Sequence, residues 1–174
     1  MKGKRTKAGS ESGVTILETM IASVILLVGI VGVTGLLTVA VIQNQDQGQD
    51  LTRTTMYAQD KMDQLMALNF TDNYTDTTVY PSVAFGGQGL GGVMAGSTTV
   101  GGTNPASPQA GYVDYLDGTG KPLANSTGAF FVRLWSISTN AGANLKTITV
   151  VSVALVTKTQ GAQPSSTLVC MMSQ

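Results

Sequence analysis

The sequence predicts an α+β protein. One long N-terminal helix, membrane-spanning in its first half and amphipathic in its second, packs on a C-terminal antiparallel β-sheet. Three observations carry this. Thr19 to Ile42 is 24 residues without a charge. Beyond Gln43, apolar or small residues recur at helical spacing as far as about Leu68. After a glycine-rich stretch, segments rich in Val, Ile, Thr and aromatic residues alternate in polarity, the period of a strand.

The chain opens with a basic leader, Lys2, Lys4, Arg5 and Lys7, relieved by Glu11 and ending in Gly13. The apolar run that follows reaches ~36 Å at about 1.5 Å per residue, enough to cross a hydrocarbon core of ~30 Å with some tilt. Basic residues precede it, and Asp46 and Asp50 follow it. The positive-inside bias then puts the N-terminus in the cytoplasm and the rest outside. A cleaved secretory signal would have a shorter apolar region, roughly 7–15 residues, and a small-x-small site after it. Here only Thr38-Val39-Ala40 offers a weak site, and Gln43-Asn44-Gln45-Asp46 follows. A plain signal anchor gives no reason for Gly13 or for Glu18.

Glu18 is the informative residue of this half. It is an acid at the lip of the span, where an ionised group is costly and suspected of function. A basic leader, Gly13, apolar Val14, then Glu18 as the fifth residue of the remainder and about twenty apolar residues: this combination resembles the class III prepilin signal of the type IV pilin and pseudopilin superfamily. The resemblance implies that a prepilin peptidase cuts between Gly13 and Val14 on the cytoplasmic side, and that Val14 is N-methylated. The family usually has Phe where this chain has Val14. It also implies a pilin-like fold. The residues themselves divide the chain into five parts: leader 1–13, membrane and assembly half of the helix 14–42, amphipathic half 43–69, Gly-rich connection 70–110, which matches neither pilin pattern, and sheet 111–174.

Cleavage would leave a new amine on Val14, with a pKa near 8. Four residues separate it from Glu18, so the two can neutralise each other within one chain. In a bundle of such helices, Glu18 can instead meet the Val14 amine of the next subunit. That pairing fixes axial register, because other registers leave a charge unpaired in apolar surroundings. Gly29, Gly32 and Gly35 interrupt the apolar half at roughly 0.8–1 kcal/mol each against Ala. They either let helices approach closely or mark a stretch that loses helicity when subunits stack.

In the second half of the helix the stripe is Leu51, Thr55, Ala58, Met62, Leu65 and Met66, with Arg53, Asp60, Lys61 and Asp63 expected off it. Asn69, Asp72 and Asn73 end the helix. Phe70 to Ala110 is crowded with glycine, Gly86 to Gly92 and Gly101-Gly102, and reads as a surface loop. It lacks the Lys-Ser/Thr ending of a phosphate cradle. Gly111–Leu116, Phe130–Ser138, Lys146–Leu155 and Ser166–Met172 are the expected strands. Asp117-Gly118 signals a turn and Asn140–Asn144 a hairpin loop. One face of the sheet is expected to be polar and the other covered by the helix. Asp114 and Asp117 lack the ligand spacing of a calcium loop, and the Asn-x-Thr/Ser triplets at Asn69, Asn73 and Asn125 read as coincidence.

The pair Phe131-Val-Arg-Leu-Trp135-Ser-Ile-Ser and Leu145-Lys-Thr-Ile-Thr-Val150 is similar to the C-terminal region of PilV-type minor pilins, the type IV pilus modification proteins. Those have an aromatic-basic-x-Trp strand before a Leu-Lys-x-Ile-x-Val strand. Many major pilins close a C-terminal loop with a disulfide; the lone Cys170 forms none within the chain and is expected to pack as a small hydrophobe in the last strand.

Composition bounds the function. Ten basic and ten acidic residues balance, and removing the leader leaves six basic and nine acidic. A broad electrostatic grip on nucleic acid is not expected. Without histidine and with one cysteine, the inventory excludes Ser-His-Asp and Cys-His catalysis and the usual zinc sites. No cofactor and no enzyme activity are expected. Eight acids against Arg53 and Lys61 between Asp46 and Asp117, then only Lys121, Arg133, Lys146 and Lys158, suggest complementary patches that steer assembly. The expected partners are a prepilin peptidase, other major and minor pilins, and the membrane. The expected protein is a minor pilin, single-pass in the inner membrane and then part of an extracytoplasmic filament. A pseudopilin of a type II secretion or DNA-uptake system, or a signal-anchored extracytoplasmic binding domain, is the alternative.

Overall fold

The computed structural model describes residues 15–72, 89–90, 98–156 and 163–174. The chain divides into two units, residues 1–43 and 44–174. A single helix, α1 (Ile16–Met66), supplies the described part of the first unit and continues into the second. It is unbroken through Gly29, Gly32 and Gly35, and among the described residues nothing beyond the helix's own neighbouring backbone lies within 4 Å of where a side chain would start at any of the three. No contact among the described residues calls for glycine there.

The second unit is α+β, as expected. Six strands follow: β1 (Thr99–Gly101), β2 (Val113–Leu116), β3 (Pro122–Leu123), β4 (Phe131–Thr139), β5 (Leu145–Ala154) and β6 (Ser165–Ser173). All pairs are antiparallel, in the order β3-β2-β4-β5-β6, with β1 alongside the end of β4. The three long strands form because β-branched and aromatic residues alternate along them. β4 and β5 are joined at Asn140–Asn144, where Asn140 Oδ1 accepts from the amides of Asn144 and Leu145 at 3.1 Å each. The left-handed residue of that loop is Ala143, φ 55°, rather than the neighbouring Gly142.

The core lies between one face of the sheet and the second half of α1. Thr54, Ala58, Lys61, Met62 and Leu65 are its buried helix positions, spaced to fall on one face. They meet Val100, Tyr112, Trp135, Ile137, Ile148 and Val150, with Tyr57 edge-on to Phe131 at 5.0 Å between ring centroids. Cys170 is half-buried against this cluster, in the manner of a small hydrophobe. Two expectations are corrected. Lys61 lies on the buried face and not off it, while Leu51 is exposed. The far face of the sheet is not polar throughout: Val132, Leu134 and Val153 are buried there, with Val113, Tyr115, Val151 and Leu155 beside them.

Most of the Gly-rich stretch, residues 73–88 and 91–97, lies outside the described residues. Its described parts belong to the fold: Leu90 is buried in the core cluster and Thr99–Gly101 is a strand on β4. Gly101 shows why that strand ends in glycine. Its φ is +76°, and a Cβ there would sit 2.3 Å from the Trp135 carbonyl oxygen and 2.7 Å from the Tyr112 ring. Backbone strain and overlap with a main-chain atom would add together. Gly101→Ala should therefore cost at least ~2–3 kcal/mol. Gly48→Ala, in open space within α1, should stabilise by roughly 1 kcal/mol. Chemical denaturation of the two variants beside the parent checks both signs.

Candidate functional site

Two places concentrate charge where charge is costly. The first is the start of α1. Thr15 caps the helix: its hydroxyl accepts from the Glu18 amide at 3.3 Å. Thr15-Ile16-Leu17-Glu18 is the T-x-x-E pattern of a capping box, a signal in the sequence that stands beside the charge of Glu18. An acid in the first turn also suits the helix dipole. Among the described residues the Glu18 carboxylate has no hydrogen bond or ion pair, and the side chain is exposed. Gly13 and Val14, the other two residues expected to act here, lie outside the described residues.

Below Glu18 the large apolar side chains from Ile16 to Ile42 are all exposed. The polar side chains among them are satisfied locally. Thr19 donates to the Ile16 carbonyl, Ser23 to Met20, Thr34 to Ile30 and Thr38 to Thr34, all at 2.8–2.9 Å. Such back-bonding leaves no hydroxyl seeking water, which a helix in hydrocarbon requires. The helix is long and apolar enough to cross a membrane.

The second place is the helix–sheet boundary. The Lys61 ammonium is fully buried and donates to Asp114 Oδ2 at 2.7 Å. It lies 3.6 Å from the centroid of the Trp135 ring, a cation–π contact. Arg133, also buried, donates through Nη2 to the same Asp114 oxygen at 3.0 Å and through Nη1 to Asp60 Oδ2 at 2.6 Å. Asp114 and Arg133 face each other across the β2–β4 ladder. Burial lowers the Lys61 pKa to about 7; Asp114 opposes the shift and Arg133 adds to it. Asp114, whose spacing from Asp117 does not suit a calcium loop, is the centre of this network.

Lys146 is a third buried cation. Its ammonium donates to the carbonyls of Phe70 and Leu90 and stands 4.4 Å from the Phe70 ring centroid. Burial lowers its pKa. Arg133 and Lys146 are thus committed inside the domain, which removes them from the basic patch the sequence suggested. The basic and aromatic residues that carry the second family resemblance, Arg133, Trp135 and Lys146, all serve the packing of the sheet against α1 and the segments after it. Asp117 holds a turn: its Oδ1 accepts from the Thr119 hydroxyl and from the amides of Thr119 and Lys121 at 2.7–2.9 Å. These bonds, the hydroxyl's first, lower its pKa. Asn125 likewise accepts from the Thr127 amide at 2.9 Å, a local turn that accounts for the Asn-Ser-Thr triplet.

No nucleophile stands beside a base among the described residues. Among the described residues, no group of three His, Cys, Asp or Glu is placed to hold a metal. The charges at the helix–sheet boundary are structural, whereas among the described residues the Glu18 carboxylate, in the apolar half of α1, has no partner. Comparison with protein-family models, with curated proteins and with solved structures finds no match.

The network sets two expectations. Asp114→Asn leaves Lys61 without its carboxylate in a buried site and should cost about 3–5 kcal/mol. Lys61→Met leaves Asp114 paired with Arg133 and should be at least as stable as the parent near pH 6, by up to ~1–4 kcal/mol. The pH dependence has a definite sign. Lys61 titrates near 7 when folded and near 10.4 when unfolded. Between these values the unfolded chain binds more protons, so stability rises with pH through that window. Denaturation at several pH values between 6 and 10 should show this rise in the parent and less of it in Lys61→Met.

Proposed function

We propose that this chain is a minor pilin of a type IV pilus. It is made as a prepilin, cut between Gly13 and Val14 by a prepilin peptidase, held in the inner membrane by its apolar helix with the sheet domain outside the cytoplasm, and then built into a filament that it helps to start or to tip. One observation carries the reading: α1 runs without a break from its cap at Thr15, through an apolar half whose large side chains are all exposed, into a helix that completes the core of a sheet domain. A helix arranged in this way needs a bilayer or other helices around its first half, and presents a domain at its far end.

Glu18 is the assembly residue in this reading. Among the described residues the Glu18 carboxylate has no hydrogen bond or ion pair. Pairing with the Val14 amine of a neighbouring subunit gives the carboxylate a partner and sets the register of the stack. Cys170, alone and half-buried on β6, supports a minor over a major subunit, since major pilins of the resembled family often close that region with a disulfide.

N-terminal mass spectrometry of membrane material should show loss of the first thirteen residues, and an intact N-terminus in assembled material would overturn the prepilin reading. Glu18→Gln separates the two roles of Glu18, because Gln also serves a capping box. If the charge sets register, Glu18→Gln and Glu18→Ala should both insert and be processed, and both should enter filaments several-fold less than the parent, a loss of order 1 kcal/mol or more. Quantitative mass spectrometry of sheared filaments should find the chain far below the main subunit.

A further inference from the structure

β6 has a neighbour on one side only. It pairs with β5 from Val153–Ser165 to Leu145–Ser173, and among the described residues nothing pairs with its other edge. Two bonds at its ends set the phase of the ladder: the Ala154 amide donates to the Pro164 carbonyl at 2.9 Å, and the Gln174 amide to the Asn144 carbonyl at 3.2 Å. In an antiparallel ladder bonded and non-bonded pairs alternate. Ser166, Leu168, Cys170 and Met172 therefore spend their backbone groups on β5. Thr167, Val169 and Met171 turn their N–H and C=O groups outward.

The same three residues are exposed, Val169 by 60 % and Met171 by 64 %. The strand carries no charge and no proline from Ser165 to Ser173. Native sheets usually blunt such an edge with lysine, proline, a bulge or a short strand. The opposite edge of this sheet is blunted: β3 is two residues long and begins with Pro122, and β1 is three residues long.

We propose that the outer edge of β6 is a docking site for an extended, uncharged segment of a different protein, which joins the sheet as a further strand. The row of outward main-chain groups specifies an extended backbone. Val169 and Met171 select apolar or β-branched side chains opposite them, and the lack of charge gives an ionic partner nothing to meet.

Two arguments set aside a second copy of this chain. Its blunted edge offers no row long enough to match β6. Pairing β6 with β6 in the antiparallel sense opposes the two helices. Thr54 lies at Ser166 with 3.1 Å between hydroxyls, Tyr57 at Phe131, and Lys61 at Trp135, so the second half of α1 runs in the direction of β4 and β6. Two copies so joined would carry the ends at Asn44, where the apolar segments attach, at opposite ends of the pair. This second argument rests on the apolar half lying in a membrane.

The test uses the full chain in detergent micelles and follows amide hydrogen exchange residue by residue. The amides of Thr167, Val169 and Met171 should exchange at least about tenfold faster than those of Leu168, Cys170 and Met172. A peptide of alternating threonine and valine, about as long as β6, should slow the outward three. Thr167→Pro removes an outward donor and spares the β5 ladder, so it should keep the fold and weaken peptide binding by about tenfold or more. Val169→Lys, which adds an edge charge, should do the same without proline. Several outcomes overturn the proposal. Outward amides already protected at every protein concentration mean that the chain covers its own edge. Protection that rises with protein concentration means a second copy. No protection by the peptide, or equal binding by both variants, means no docking at this edge. None of these readouts depends on processing at Gly13, so a failed prepilin reading is seen in the N-terminal mass and not here.

Discussion

The ammonium of Lys61 is the constraint around which the domain from Asn44 onward is arranged. A charge taken wholly out of water costs several kcal/mol unless it is met closely. Here it is met by Asp114, which also takes Arg133, whose second nitrogen returns to Asp60, the helix residue next to Lys61. Charges of alternating sign thus link α1, β2 and β4. The gain is positional more than energetic. Turning α1 by one residue would swing Lys61 away from Trp135. Slipping β2 by one residue would send Asp114 to the far face of the sheet and leave Lys61 unmet. Each alternative strands a buried charge, so one rotation of the helix and one register of the strand are selected together.

The parts of this fold that were legible in the sequence are those with a sustained period. β4, β5 and β6 end within one residue of where alternation placed them, and α1 within two. β1 and β3 are too short to show a period. β1 exists because β4 offers it a partner and Gly101 can sit against the Trp135 carbonyl, both non-local facts. Lys61 was set on the solvent side because a lone charge is priced as exposed, yet Thr54, Ala58, Lys61 and Leu65 fit helical spacing without it being moved. What makes its burial tolerable is Asp114, 53 residues away in sequence. A one-dimensional reading sees each charge alone and overlooks the pair. The Thr15 cap was legible as T-x-x-E and was overlooked for a different reason: Glu18 already had a role.

The two units solve opposite problems with one helix. From Asn44 on, α1 finds its partners inside the chain. Up to Ile42 it finds none among the described residues, and only its backbone and hydroxyl groups are satisfied internally. That is the condition for residence in hydrocarbon, where polar groups must be closed off and apolar side chains need no protein partner. The glycines at 29, 32 and 35 fit the same division. Nothing among the described residues requires them, so the reason for them is to be sought in what surrounds the helix.

The connection between helix and sheet bears on how many copies a filament would carry. A long glycine-rich loop is costly to order, and on that ground alone a repeating subunit would avoid it. Yet Lys146 fastens the chain at Phe70 and Leu90, and β4 fastens it at Thr99–Gly101. Phe70, Leu90 and Thr99–Gly101 are thus held by the core and the sheet themselves, so the described parts of the stretch are ordered by the fold of each copy. The ordering argument for a low-copy subunit therefore loses force, and the edges of the sheet supply a better one. Because the edge at β1 and β3 cannot match β6, identical copies in a stack could not serve one another's open edge. Every copy would carry an uncharged, nine-residue strand whose outer edge has no partner among the described residues, a standing route to aggregation. If the chain is the low-copy subunit proposed above, that edge recurs once or a few times per filament and is left for the different protein proposed to dock there.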